Sequence, residues 1–89
     1  MDQELKNKAV RRLKIIEGQV RGLQKMTEDE AYCIDIITQA SAIKEALSGV
    51  EDLLLENHLS THVAHQMKTG QDTQAVNEIL KVYKLKRKK

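Results

Sequence analysis

The sequence predicts an all-α chain of three helices, the central one very long, packed as an antiparallel dimeric helix bundle. Three observations predict it. Apolar residues recur at helical spacing, and no strand alternation of any length appears. The 89 residues contain no proline and only four glycines, so little interrupts a helix. The middle of the chain repeats apolar residues every seven positions.

The first helix is expected from Glu4 to about Met26. Leu13, Ile16, Val20 and Leu23 form one stripe at 100° per residue. Arg11, Lys14, Arg21 and Lys25 cluster on nearly the opposite side, and Arg12 and Gln19 share a flank. The helix thus has a side to bury and a cationic side. Thr27 with Glu30 three residues on reads as a capping box, so the second helix is expected to start there.

Nothing obvious stops that helix before about Met67, a run of close to 40 residues or about 60 Å. Its seam is Ile36, Ala40, Ile43, Leu47, Val50 and Leu54, in steps of four and three. So long a seam calls for an equally long partner, and a second copy is the simplest. Gly70 reads as a helix stop, and Asp72 or Thr73 as the cap of the third helix. Val76, Ile79, Leu80 and Tyr83 supply its expected buried side. Residues 84–89 form a basic tail expected to be mobile, and residues 1–89 are read as one domain.

Composition excludes several function classes. The longest apolar run, Ala31 to Ile34, is far short of the roughly 18 residues that span a bilayer, so no membrane role is expected. Met1-Asp2-Gln3-Glu4 does not look like the start of a secretory signal. One cysteine makes no internal disulfide, which suits a reducing cytoplasm. With two tyrosines and no other aromatic residue, stacking on single-stranded nucleic acid is not expected. A chain this short buries only about 60–65% of its unfolded surface, a second reason to expect self-association.

Charge is segregated beneath a net of +2. Residues 1–25 carry +4, residues 26–80 carry −8 and residues 81–89 carry +6. Two basic ends around an acidic middle point to an anionic partner, nucleic acid foremost. Solvated faces and a Lys-rich tail are the simpler reading of the same charges.

Cys33, His58, His62 and His65 are the residues that can carry chemistry. His58 and His62 stand at i, i+4, the spacing that lets two imidazoles share a metal. Cys33 precedes His58 by 25 residues, nearly seven whole turns, so both lie on one helix face. Along the axis they are about 37 Å apart. Antiparallel pairing of two such helices brings Cys33 of one chain to the histidines of the other, twice per symmetric dimer. Taken singly, Cys33 reads as a core thiol and the histidines as surface residues.

A thiolate with two imidazoles suits Cu(I), whereas Zn(II) wants a fourth ligand and Ni(II) or Co(II) more donors. His65 and the N-terminal amine are candidate extra ligands, although His65 also reads as a surface residue. Catalysis fits poorly, and the chain is read as no enzyme. There is no Gly-rich phosphate loop, no Cys-x-x-Cys and no His-Glu-x-x-His.

Over nearly its whole length the chain resembles the CsoR/RcnR-type metal-responsive transcriptional repressors. The resemblance rests on Arg12-Leu13-Lys14-Ile15-Ile16-Glu17-Gly18-Gln19-Val20-Arg21-Gly22, on Ala31-Tyr32-Cys33, on Glu56-Asn57-His58-Leu59, and on a ligand position at His62. It implies an antiparallel homodimer that assembles into a homotetramer without a helix-turn-helix. It also implies operator DNA bound by the apo form and released with the inducer, which frees efflux genes from repression. Arg12 matches a DNA-binding arginine of the family, and Lys14, Gln19 and Arg21 share its segment.

Tyr32 and Glu78 match the residues that support the metal site in the family's copper sensors, which favours Cu(I). His62 stands where those sensors carry a second cysteine, and a Cys-His-His set also resembles the nickel/cobalt branch. That branch adds an N-terminal histidine, absent here. The formaldehyde-sensing branch uses the same cysteine with an N-terminal proline, also absent, and the persulfide-sensing branch needs a second cysteine. A metal buffer or a helical scaffold without DNA binding stands as the reading from a different class.

Overall fold

The computed structural model describes residues 1–87, except the side chains of 62–64. Helix α1 is Gln3–Glu28 and α2 is Cys33–His58. A π-helical segment, Leu59–Val63, leads into the short α3, Ala64–Lys68, and α4 is Asp72–Arg87. The chain is all-α, and no strand occurs among the described residues. Among them, no helix is long and apolar enough to cross a membrane.

Two compact units emerge, Met1–Leu55 and Glu56–Lys89. In the first, α1 and α2 form a hairpin about a core of Ile16, Ile43 and Val50, with Leu23 and Ala46 packed against it. Asp2 caps α1, its carboxylate accepting from the Glu4 amide at 3.0 Å. Ala9 joins Ile16 on the buried line of α1, while Leu13 and Val20 of the expected stripe are exposed. In the α2 seam Ile43 and Val50 are buried, yet Leu47 is 42% and Leu54 37% exposed. One short hairpin covers only the inner edge of a two-sided seam.

The capping box at Thr27 does not form. Thr27 lies inside α1, and its hydroxyl donates to the Leu23 carbonyl at 2.9 Å. The helix closes instead through Ala31 N–H to Met26 O at 2.9 Å and Glu30 N–H to Thr27 O at 3.1 Å. Glu30 adopts φ 54°. This is the paired-bond termination of helices with a left-handed residue after the cap, here built without glycine. The second helix therefore starts at Cys33, with the Tyr32 carbonyl accepting from Asp35 and Ile36.

The α-helical stretch also ends earlier than Met67. It gives way at Leu59, where the π segment inserts extra backbone into the turn. Ser60 and Thr61 hydroxyls both donate to the Asn57 carbonyl, at 3.1 and 2.7 Å. Such back-bonding competes with the regular ladder, and a periodicity argument does not register it.

In the second unit Gly70 stops α3 as expected, at φ 79°, with Gln71 N–H on Gln66 O at 2.7 Å. Asp72 is the first residue of α4 rather than its cap; the Gln71 carbonyl accepts from Ala75 at 3.1 Å. The buried residue of α4 is Ala75, 0% exposed, whereas Val76, Leu80 and Tyr83 of the expected buried side are exposed. Of the expected mobile tail, 84–87 are helical; Lys88 and Lys89 lie outside the described residues.

Candidate metal and DNA site

A polar cluster lies in the second unit, around Glu78 on α4. Its Oε2 sits 3.1 Å from Nε2 of His58, at the last turn of α2. Gln66 of α3 donates its amide to the same oxygen at 3.4 Å. Gln74, one turn before Glu78, donates to Oε1 at 3.1 Å. Three donors on one carboxylate favour its charged form. The Gln74 hydrogen bond lowers the Glu78 pKa most, partial burial opposes it, and the His58 and Gln66 hydrogen bonds and the His58 charge lower it further.

This arrangement addresses one imidazole nitrogen. With Nε2 directed at a carboxylate, the ring is oriented and Nδ1 is the nitrogen suited to a ligand bond. His58 is about one-third exposed, so the ring edge is accessible. His62 lies in the π segment; its side chain is outside the described residues. His65 is exposed on α3, and its carbonyl accepts from Thr69.

In the first unit Cys33 is an exposed free thiol at the start of α2, beside the exposed Tyr32. Cys33 and His58 are thus the first and last residues of one helix. Among the described residues no three His, Cys, Asp or Glu side chains of a single chain gather closely enough to hold a metal. The donor chemistry fits a soft or borderline ion, and Cys33 and His58 stand at opposite ends of α2.

The cations of α1 are displayed to solvent. Arg12, Lys14 and Arg21 are exposed, with Arg21 3.8 Å from Glu17. Arg12 lines an open groove of ≈ 280 Å³ with Ile15, Ile16, Ala46 and Gly49. Gln19 is half-buried, and its side-chain oxygen is buried with no partner among the described residues.

Gln66 and Gln74 escaped the sequence reading. The Gln74–Glu78 spacing of four was a legible helix pair. Gln66 reaches Glu78 from another helix, and no local pattern announces that.

A family model described as metal-sensitive transcriptional repressor matches residues 5–84. The chain belongs to that family. Its members are repressors rather than enzymes. The copper-sensing transcriptional repressor CsoR of Bacillus subtilis is 47% identical over 79 residues, covering 89% of this chain and 78% of that protein. RicR of Mycobacterium tuberculosis, a copper-sensing transcriptional repressor, is 45% identical over 65 residues, 73% of this chain and 68% of its own. The crystal structure of the copper-sensing repressor CsoR with Cu(I) from Geobacillus thermodenitrificans superposes with a TM-score of 0.90 at 45% identity. It covers 99% of this chain and 92% of that one.

Proposed function

We propose that this metal-sensitive repressor responds to Cu(I). In this reading Cys33 of one chain and His58 and His62 of the partner subunit hold the ion. The apo form binds operator DNA, and metal loading releases it to free metal-efflux genes from repression. The observation that carries the reading is the His58–Glu78 pair at 3.1 Å, standing at the opposite end of α2 from the only cysteine. The pair is what a ligating histidine needs to present its other nitrogen. Separation along one helix calls for an antiparallel homodimer, and two dimers pair as a homotetramer. The copper-sensing relatives support the choice of metal.

Cu(I) would supply a soft centre there, which one thiolate and two imidazoles would hold. Around it Glu78 keeps hold of Nε2 of His58, and Tyr32 flanks the thiol. His65 is a reserve donor. Arg12, Lys14, Gln19 and Arg21 form the DNA-facing set, of which the exposed cations meet phosphates. Residues 1–89 act as one cytoplasmic sensing and DNA-binding domain, with the basic end of α4 as its tail.

The test is fluorescence anisotropy on duplex DNA from upstream of the gene, with Cu(I) titrated anaerobically and Ni(II), Co(II) and Zn(II) in parallel. Release by Cu(I) alone is expected. Release by Ni(II) or Co(II) alone moves the chain to a nickel/cobalt role, release by Zn(II) alone to a zinc role, and release by formaldehyde to a carbonyl sensor using Cys33. Cys33→Ala keeps DNA binding and loses the response; persistence of metal-driven release in that variant overturns the site.

A further inference from the structure

We infer that Gln66, seconded by Gln74, is a positioning residue of the sensor: their amides clamp the Glu78 carboxylate against His58 and so fix which imidazole nitrogen faces the metal. The inference rests on the reading of His58 as a ligand.

Gln66 is 9% exposed, the one buried polar side chain among the described residues. Burying an amide is unfavourable unless its groups are matched, so its place in α3 calls for an explanation. Its Nε2 lies 3.4 Å from Glu78 Oε2, the oxygen that His58 also addresses. The amide cannot be turned over, because its carbonyl oxygen would then face a carboxylate. In the observed orientation Oε1 is buried without a partner among the described residues. The side chain is therefore held for what its N–H group does, at the expense of its carbonyl.

The backbone of the same residue has a second task. The Gln66 carbonyl accepts from Gln71 N–H at 2.7 Å and from the Thr69 hydroxyl at 3.2 Å. These bonds close α3 at Gly70 and set the turn into α4. One residue thus fixes the α3–α4 corner through its main chain and the Glu78 carboxylate through its side chain. Gln74 completes the clamp from within α4, on the other carboxylate oxygen. With both oxygens loaded by amide donors, Glu78 is held as an acceptor aimed at Nε2 of His58. A histidine whose Nε2 carries the proton offers Nδ1 as the lone pair. Without the clamp the carboxylate rotates away, and the two tautomers become closer in population.

The experiment uses the full chain and the variants Gln66→Met, Gln66→Glu, Glu78→Gln, Gln74→Leu and the double swap Q66E/E78Q. Two quantities are read: the 15N spectrum of the His58 ring without metal, and Cu(I) affinity by competition with a chromophoric chelator. Wild type is expected to show the Nε2–H tautomer. Gln66→Met, which keeps the volume and removes the donor, shifts the ring toward a tautomer mixture and weakens Cu(I) binding by about tenfold. Gln66→Glu, which sets two carboxylates face to face, costs more. The double swap restores an amide–carboxylate pair and regains most of what either single change loses. Gln74→Leu, at an exposed position, moves both readouts the same way by a smaller factor, and serves if Gln66→Met does not fold.

Ring spectra unchanged in both Gln66→Met and Gln74→Leu overturn the clamp, as does a double swap that only adds the two single losses. A wild-type chain that binds no Cu(I) overturns the ligand reading instead, and leaves the tautomer result to decide the clamp on its own.

Discussion

The two units of this chain are held by opposite means. Residues 1–55 form a hairpin about an apolar core of Ile16, Ile43 and Val50, with the Gln19 side-chain oxygen also buried in this unit. Among the described residues of 56–89 the one fully buried apolar side chain is Ala75, and hydrogen bonds converge on Glu78. In the proposed function the difference has a use. Apolar packing is non-directional and insensitive to what binds nearby, which would suit a platform for cations that meet DNA. A polar network is directional, and it stays marginal in stability unless every member is satisfied. In the proposed function it is the structure that a ligand at His58 would reset.

Substitutions can break this contrast. The largest effect belongs to the hairpin. Ile43→Ala removes a buried side chain and opens a cavity in a very small core, and should cost about 2–5 kcal/mol in chemical denaturation. Leu47→Glu sharpens the point. Leu47 is substantially exposed within one chain, so the variant should fold. Sedimentation equilibrium should nonetheless show association weakened by more than about tenfold, or roughly 1.4 kcal/mol, if the open side of the seam meets a second copy. Wild-type melting should in the same way rise with protein concentration.

The two helix stops come next. Both Glu30 and Gly70 are left-handed, but only one is glycine. Gly70→Ala should destabilise by about 1 kcal/mol, and Glu30→Gly should stabilise by up to about 1 kcal/mol, both read as shifts in the denaturation midpoint. The smallest effect is on pH. The Glu78 carboxyl sits below its ordinary range, held there by the Gln74 hydrogen bond foremost. A lowered carboxyl pKa contributes stability that is complete above the ordinary carboxylate range and is lost as pH falls through the lowered value. A 13C titration of the Glu78 carboxyl should give a midpoint below that of the exposed glutamates, and Gln74→Leu should raise it.

Much of this was legible in the residues. Period 3.6 with no proline left helices as the only economical reading, and Gly70 marked its turn by chemistry that glycine alone makes cheap. That Cys33 and His58 share one helix was legible because 25 residues is close to a whole number of turns. The start of α2 was misread because Thr27 and Glu30 have the right spacing for a capping box. Their environment instead let α1 run on, with Glu30 taking the left-handed position. The π segment went unseen because Ser60 and Thr61 act through the backbone of Asn57, and no hydrophobic period records that.

Local chemistry along the chain was enough to establish the all-helical class, the split charge, the separated thiol and imidazoles, and the family resemblance. Each depends on residues near one another in sequence or on a regular repeat. Packing settled the remainder: which half of each apolar stripe is covered, that Ala75 rather than its larger neighbours lies innermost, and that Gln66 reaches Glu78. Those outcomes depend on how separate helices meet. Burial is a property of the neighbour as much as of the residue, and a side chain twelve positions away leaves no periodic trace.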